Sequence, residues 1–189
     1  MAAGGSKGIE NRGGFGQVGR SRSQIRRSIA AQEEIRSGTT MNKPKILPPV
    51  FLFITLAIMV ILHWLLPLRT IIHDPYSRFG IAFMAIGFTI TFASAGLFKT
   101  RGTPVKPFEQ STVLVTDGFY KLSRNPMYLG MAIALTGAAV RLGSLGAFLP
   151  IPMFIMWIRH QYIEREEVFL EEIFGQKYRD YKARVRRWI

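Results

Sequence analysis

Two uncharged apolar runs limit what this chain can become. Leu47–Leu68 and Phe79–Phe98 contain no Asp, Glu, Lys or Arg, and each is about the 20 residues that a helix needs to cross a bilayer. Backbone polar groups in lipid must be satisfied within the segment itself, so both runs are expected to be helices. Pro48 and Pro49 open the first run, and His63-Trp64 mark its far interface, where aromatic residues collect at headgroup level. His63 is read as an interfacial residue rather than a ligand. The second run is rich in small residues: Gly80, Ala82, Ala85, Gly87, Ala93, Ser94, Ala95 and Gly96. Small side chains let helix backbones approach closely in lipid, so this segment is expected to pack tightly on a neighbour.

Two shorter apolar stretches, Met127–Val140 and Leu145–Ile158, flank the Gly-containing run 141–146. One helix through both would be about 45 Å long, too long for a single crossing, so two helices and a turn are expected. Beyond Arg159 the chain is charged and amphipathic. Glu164–Glu167 is expected to carry the fourth helix out of the apolar layer, Gly175 to stop it, and Gln176–Trp188 to form a last helix. The expected fold is an all-α membrane protein with about four transmembrane helices plus a C-terminal cytoplasmic amphipathic helix.

Composition narrows the function classes. The formal charge of +13 comes from basic residues that flank apolar segments, not from one continuous stripe with interleaved aromatics, so nucleic acid is not expected as a partner. Absence of cysteine excludes disulfides and thiolate chemistry, and the histidines His63, His73 and His160 lack metal-ligand spacing. Lys and Arg number nine before the first span, two in Arg69–Arg78, five in Lys99–Arg124, one at Arg141 and eight from Arg159 onward. Alternation of that kind places both termini and the Lys99–Ser123 loop in the cytoplasm, against anionic lipid headgroups, with a prokaryotic inner membrane as the expected location. Residues 1–40 are Gly-, Ser- and Arg-rich and too poor in apolar side chains to bury a core. They are expected to be disordered, a surface helix or a leader extension, with residues 41–189 as the integral membrane domain and Met41 a plausible second start.

Chemistry concentrates where a polar loop meets the third apolar stretch. The Lys99–Ser123 loop, broken by Pro104 and Pro107 and turning at Asp117-Gly118, is long for a membrane hairpin and ends on Arg124-Asn-Pro-Met-Tyr-Leu-Gly130. Proline is well placed at a first helical position. It sets Arg124 and Asn125 at the mouth of a helix, with Tyr128 and Gly130 in its first turns. These residues suit either a ligand site or an interfacial anchor. A second polar group, Arg165-Glu166-Glu167, falls by topology at the cytoplasmic end of the adjacent helix. Neighbouring helical residues point about 100° apart, so one glutamate is expected to pair with a base such as Arg124 and the other to meet a ligand. A solvated i,i+4 charge ladder is the bland alternative.

Taken together, Gly118-Phe-Tyr120, Arg124-Asn-Pro-Met-Tyr128-Leu-Gly130, Arg165-Glu166-Glu167-Val-Phe-Leu170 and Phe174-Gly175-Gln-Lys-Tyr178-Arg-Asp-Tyr181 resemble the isoprenylcysteine carboxyl methyltransferase and phospholipid methyltransferase superfamily of integral membrane enzymes. The likeness covers roughly residues 41–189. It implies an S-adenosylmethionine-dependent methyltransferase whose cofactor is lined by Tyr120, Arg124, Asn125, Pro126, Tyr128 and Gly130 on one side. Glu166 and Glu167 would face them, with Leu170, Tyr178 and Tyr181 closing the pocket. Arg124, Arg165, Glu166 and Glu167 are the candidate catalytic groups, and no metal is implied. The acceptor would be a membrane lipid or a prenylated substrate entering from the bilayer, methylated on a carboxylate or an amine. Two residues depart from the pattern: Asn125 stands where many members carry His, and Phe119 where they carry Pro. A small membrane transporter, a membrane reductase or a non-catalytic membrane module are the competing readings. No Asp or Glu lies in the apolar cores, as a transporter would be expected to need.

Overall fold

Prolines and glycines set the helix boundaries. In the computed structural model, which describes residues 47–66, 68–102 and 113–189, helix α1 is Pro48–Leu65 and begins on a proline. Helix α2, Phe79–Thr100, comes after a short 3₁₀ turn at Tyr76–Arg78. Helix α3, Pro126–Leu142, again starts on proline, and ends at Gly143 with φ of 75°, a left-handed position that costs glycine little. A single turn, α4 (Leu145–Phe148), leads into α5 (Pro150–Ile158), a π-helical turn at Arg159–Ile163, and α6 (Glu164–Phe174). Gly175, with φ of 53°, then redirects the chain into α7, Gln176–Arg184. Among the described residues there is no strand, only an isolated bridge between Thr70 and Ser144. Expectations for residues 1–40, Met41 and the loop around Pro104 and Pro107 lie outside the described residues.

Helix α3 sits centrally because two of its faces are buried. One face, with Tyr128, Met131, Leu135, Ala138 and Ala139, joins Leu52 and Met59 of α1 and Ile151, Phe154 and Ile158 of α5 in the core. The other meets α2 in an antiparallel seam of small residues. A Cβ added at Gly87 would lie 2.5 Å from the Gly130 carbonyl oxygen, and one at Gly137 would lie 2.6 Å from that of Gly80. Both pairs are spaced seven residues along their helices, so the same stripe faces the partner at each crossing. Thr91 reaches over the seam to donate to the Met127 carbonyl at 3.2 Å. The tight packing expected of the second apolar run is therefore present, with glycines of α3 at matching positions.

The outward faces are apolar. Phe53, Ile61, Phe83 and Phe92 are all exposed, and an apolar surface of that extent is the signature of a lipid-facing wall. Helices α1 and α2 (the latter with its preceding turn) are long and apolar enough to span a membrane, and the chain is read as an integral membrane protein. Helix α3 is a shorter apolar helix of 17 residues, and α5 runs for 9 before the π turn. By length and composition, two spans are thus supported rather than the expected four. At the end remote from Arg124, residues 69–72 pair with the α3–α4 turn: Ile71 N–H donates to Gly143 O at 2.8 Å and Leu145 N–H to Arg69 O at 2.9 Å. His63 Nδ1 lies 2.9 Å from the fully buried Ser144 hydroxyl, which ties α1 to that turn.

The seam predicts opposite outcomes for two glycines of α2. Gly87→Leu forces the helices apart, and overpacking of this kind costs about 1–3 kcal/mol or more. Gly96 has no atom within 4 Å of an added Cβ. Gly96→Ala is therefore expected to hold or raise the melting temperature in detergent, while Gly87→Leu lowers it by several degrees.

Candidate cofactor site

The loop before α3 is drawn under the helix ends by buried polar contacts. A 3₁₀ turn at Gly118–Lys121 buries Tyr120, whose ring sits edge-on to Phe98 at 5.6 Å. The Tyr120 carbonyl accepts from the Tyr181 hydroxyl at 2.7 Å, which fixes α7 against this turn. Tyr181 in turn packs beside Tyr178, with ring centroids 6.1 Å apart. Burial pushes the Tyr181 hydroxyl up to about 12 and raises that of Tyr178 further, so both stay neutral phenols. Ser123 and Asn125 are buried, and Pro126 fully so at the first helical position.

Arg124 and the two adjacent glutamates of α6 then meet. Glu167 is 5% exposed and lies between two guanidinium groups. Arg124 Nη2 is 3.0 Å from its Oε1, and Arg187 forks onto both oxygens, Nε to Oε1 at 3.0 Å and Nη2 to Oε2 at 2.7 Å. Glu166, turned about one residue's rotation away, accepts instead from the Tyr128 hydroxyl at 3.0 Å. The residue keeps some exposed surface, but protein encloses its carboxyl group. Burial pushes that carboxyl up to about 7, against the lowering effect of the Tyr128 hydrogen bond. One glutamate is thus paired with two arginines, and the carboxyl of the other is pushed up to about 7. The expected pairing of one glutamate with Arg124 is present at Glu167, and both carboxylates are engaged by side chains of other elements rather than by a solvated charge ladder.

Arg187 also lies 3.8 Å from Glu164, so it is Arg124 that keeps spare bonding capacity on this side. Arg124 Nε is buried with no hydrogen-bond partner among the described residues. Arg124 Nη1 approaches the Lys182 carbonyl only at 3.5 Å. An unused buried donor on a cation suits an incoming anion such as a carboxylate. The Glu166 carboxyl, which accepts from the Tyr128 hydroxyl, suits an ammonium or a hydroxyl. The tyrosines supply aromatic walls. Among the described residues no cluster of His, Asp or Glu fits a metal ion.

Most of the residues singled out in the sequence converge here: Tyr120, Arg124, Asn125, Pro126, Tyr128, Glu166, Glu167, Tyr178 and Tyr181. Gly130 packs on Gly87 and Thr91 of α2 and lets that helix approach. Glu167 is engaged by two arginines. Arg165 and Leu170 are partly buried on α6. Sequence reasoning missed Arg187 and Ser123. Both belong to the same network, since the Ser123 hydroxyl donates to the Arg187 carbonyl at 3.2 Å and the Asn125 amide to the same oxygen at 3.1 Å. A lone arginine in a basic tail carries no spacing signal, and only its partner identifies it.

Comparison with known proteins gives this arrangement a family. A family model described as phospholipid methyltransferase matches residues 76–177. An uncharacterized protein of Haemophilus influenzae is 43% identical over 63 residues, which is 33% of this chain and all of that one. Protein-S-isoprenylcysteine O-methyltransferase A of Arabidopsis thaliana is 31% identical over 112 residues, 58% of this chain and 56% of the relative. The structure of a eukaryotic intramembrane Ras methyltransferase, isoprenylcysteine carboxyl methyltransferase, superposes with a TM-score of 0.56 at 26% identity. It covers 75% of this chain and 51% of that one. The chain therefore spans about half the length of the methyltransferases it matches. With more than half of its residues under the family model and the same helical arrangement as an intramembrane methyltransferase, the chain belongs to the phospholipid methyltransferase family.

Proposed function

We propose that the chain is a membrane-embedded methyltransferase that moves the methyl group of S-adenosylmethionine to a lipid-like or prenylated acceptor at the cytoplasmic membrane face. The observation that carries this reading is a pair of groups of opposite character: Arg124, with a buried donor that has no partner among the described residues, and Glu166, whose carboxyl accepts from the neutral Tyr128 hydroxyl. A ligand end bearing both a carboxylate and an ammonium fits that polarity in one orientation only. The isoprenylcysteine methyltransferases among the relatives support the prenylated class of acceptor.

S-adenosylmethionine supplies an electrophilic methyl on a sulfonium, which leaves as a neutral thioether when the acceptor attacks in line. The protein's task is then orientation and exclusion of water. Arg124, with its unpaired donor, would hold the carboxylate, and Glu166, which accepts from the Tyr128 hydroxyl, would take the ammonium. Tyr120, Tyr178, Tyr181 and Leu170 form the apolar enclosure, and the phenols, held neutral, add no competing negative charge. Arg165 is assigned to acceptor positioning. Asn125 offers no proton-accepting nitrogen, and a carboxylate acceptor needs none, because it is already the nucleophile. An amine acceptor would need a base, for which Glu166 is placed by its titration near neutrality.

Calorimetry on detergent-purified protein tests the reading. S-adenosylmethionine and its demethylated product are both expected to bind. Arg124→Ala is expected to weaken binding about 30-fold or more, as for loss of a buried charged partner. No binding by folded wild-type protein overturns the proposal. Labelled methyl transferred into a membrane extract identifies the acceptor class: alkali releases it as methanol from an ester and leaves it on an amine.

The Glu166 carboxyl adds a pH prediction with two signs. Its value rises from 4.5 to about 7 in the folded chain, so folding takes up a proton in that window. The ligand-free protein therefore loses stability as pH rises from 4.5 to about 7. Binding of the ammonium-bearing ligand runs the other way, tightening as Glu166 ionises across pH 7. Glu166→Gln flattens both profiles. Melting temperature and affinity measured against pH in the same detergent check the two slopes.

A further inference from the structure

After α7 the chain turns extended at Val185 and runs back over the loop that precedes α3. Its backbone is taken up by that loop: Arg124 N–H donates to the Arg186 carbonyl at 3.0 Å, and both the Asn125 amide and the Ser123 hydroxyl donate to the Arg187 carbonyl. Asn125 occupies the position before the first turn of α3 but makes no capping bond there, because its side chain is committed to the tail. Trp188 packs on the core, and Arg187 Nη1 lies 3.8 Å from Glu164 while its fork closes on Glu167. The side chain of Arg187 remains 28% exposed, against 9% for that of Arg124. Arg187 thus grips Glu167 from the outside, and Glu167 grips Arg124 from within.

Charge alone does not require this arrangement. A single arginine would neutralise Glu167. With one partner, however, the carboxylate can rotate and Arg124 can turn with it, and a ligand carboxylate would compete with Glu167 for the same guanidinium. A second, forked partner saturates Glu167, fixes its plane and leaves Arg124 with attraction to spare. Building on the cofactor reading above, we propose that Arg187 is a positioning residue of the site. Through Glu167 it presents Arg124 to the carboxylate of the ligand, and Asn125 serves the same end by docking the tail that carries it.

The test separates positioning from bulk folding by using two ligands. S-adenosylhomocysteine carries the amino-acid carboxylate, whereas methylthioadenosine keeps the adenosine and lacks it. Arg187→Ala is expected to weaken the first by about 10-fold or more, as when one member of a buried charged network is truncated, and the second by less than about 3-fold. Arg187→Lys, which keeps the charge but cannot fork, recovers little of the loss. Arg186→Ala, which removes an exposed neighbouring charge, stays near wild type. Equal losses for both ligands, or full recovery in Arg187→Lys, overturn the proposal.

A second arm does not depend on any ligand. In a background with Trp64 and Trp157 replaced by Phe, acrylamide quenching of Trp188 reports the tail. Asn125→Asp, which turns a donor into an acceptor facing a carbonyl, and Arg187→Ala both raise quenching, whereas Asn125→His restores protection by keeping a donor. Unchanged quenching in Arg187→Ala and Asn125→Asp overturns the docking. If wild-type protein binds neither ligand, the cofactor reading fails, and with it the positioning role.

Discussion

Glu167 is the group on which the site depends. A carboxylate at 5% exposure carries a desolvation penalty of several kcal/mol that only close, well-oriented cations offset. The two cations come from distant parts of the chain, Arg124 from the loop before α3 and Arg187 from the tail after α7, while Glu167 itself is on α6. One anion therefore ties three segments together. Removing it leaves a buried and a partly buried guanidinium group facing each other, so the cost of losing Glu167 exceeds the worth of either ion pair. The same geometry leaves spare bonding capacity at Arg124, the member with an unused buried donor.

That cluster assembles only because the helices behind it are held in register. The glycines at 80, 87, 130 and 137 bring α2 and α3 to backbone contact, and the loop carrying Arg124 hangs from the end of α3. On the other side, the π turn at Arg159–Ile163 inserts extra length into the rod from α5 to α6. The insertion buries Tyr162 and Ile163 in the core and rotates α6, aiming Glu166 and Glu167 at two different partners. π-helical turns are rare and gather at functional sites for this reason. A regular helix of the same sequence would point both carboxylates elsewhere.

Much of this frame is legible in the residues. Pro126 at the first helical position, Gly143 and Gly175 at helix ends, and the small-residue face of α2 all act as local signals, and local signals survive without knowledge of the fold. The likeness of the Arg124–Gly130 and Arg165–Leu170 motifs to a family was enough to bring nine of the chosen residues to one place. What remained hidden is non-local. Gly130 sits inside the motif yet serves the seam, because which face of α3 meets α2 depends on register. The small-residue pattern of α2 could not name its partner. Arg187 was indistinguishable from Arg184 or Arg186 until Glu167 selected it. Helices α1 and α2 alone have the length and apolar character of a full crossing, because α3 and α5 are apolar but short.

The two adjacent glutamates show how environment divides chemically identical groups. Glu167 lies between two guanidinium groups. Glu166 has only a neutral phenol and surroundings that disfavour its charge, so its carboxyl moves up to about 7. A site with a spare buried donor at Arg124 and a titratable negative charge at Glu166 has a direction, which a purely anion-binding anchor would lack. It also bears on the acceptor. The Asn125 amide donates to the Arg187 carbonyl, and an amide side chain offers no base at this position. An acceptor that arrives already anionic can react without one. For an amine, deprotonation would fall to Glu166, the same group that the proposed reading uses to hold the ligand's ammonium. One carboxylate cannot hold that ammonium and accept a proton from the amine at the same time, and this conflict favours the carboxylate acceptor.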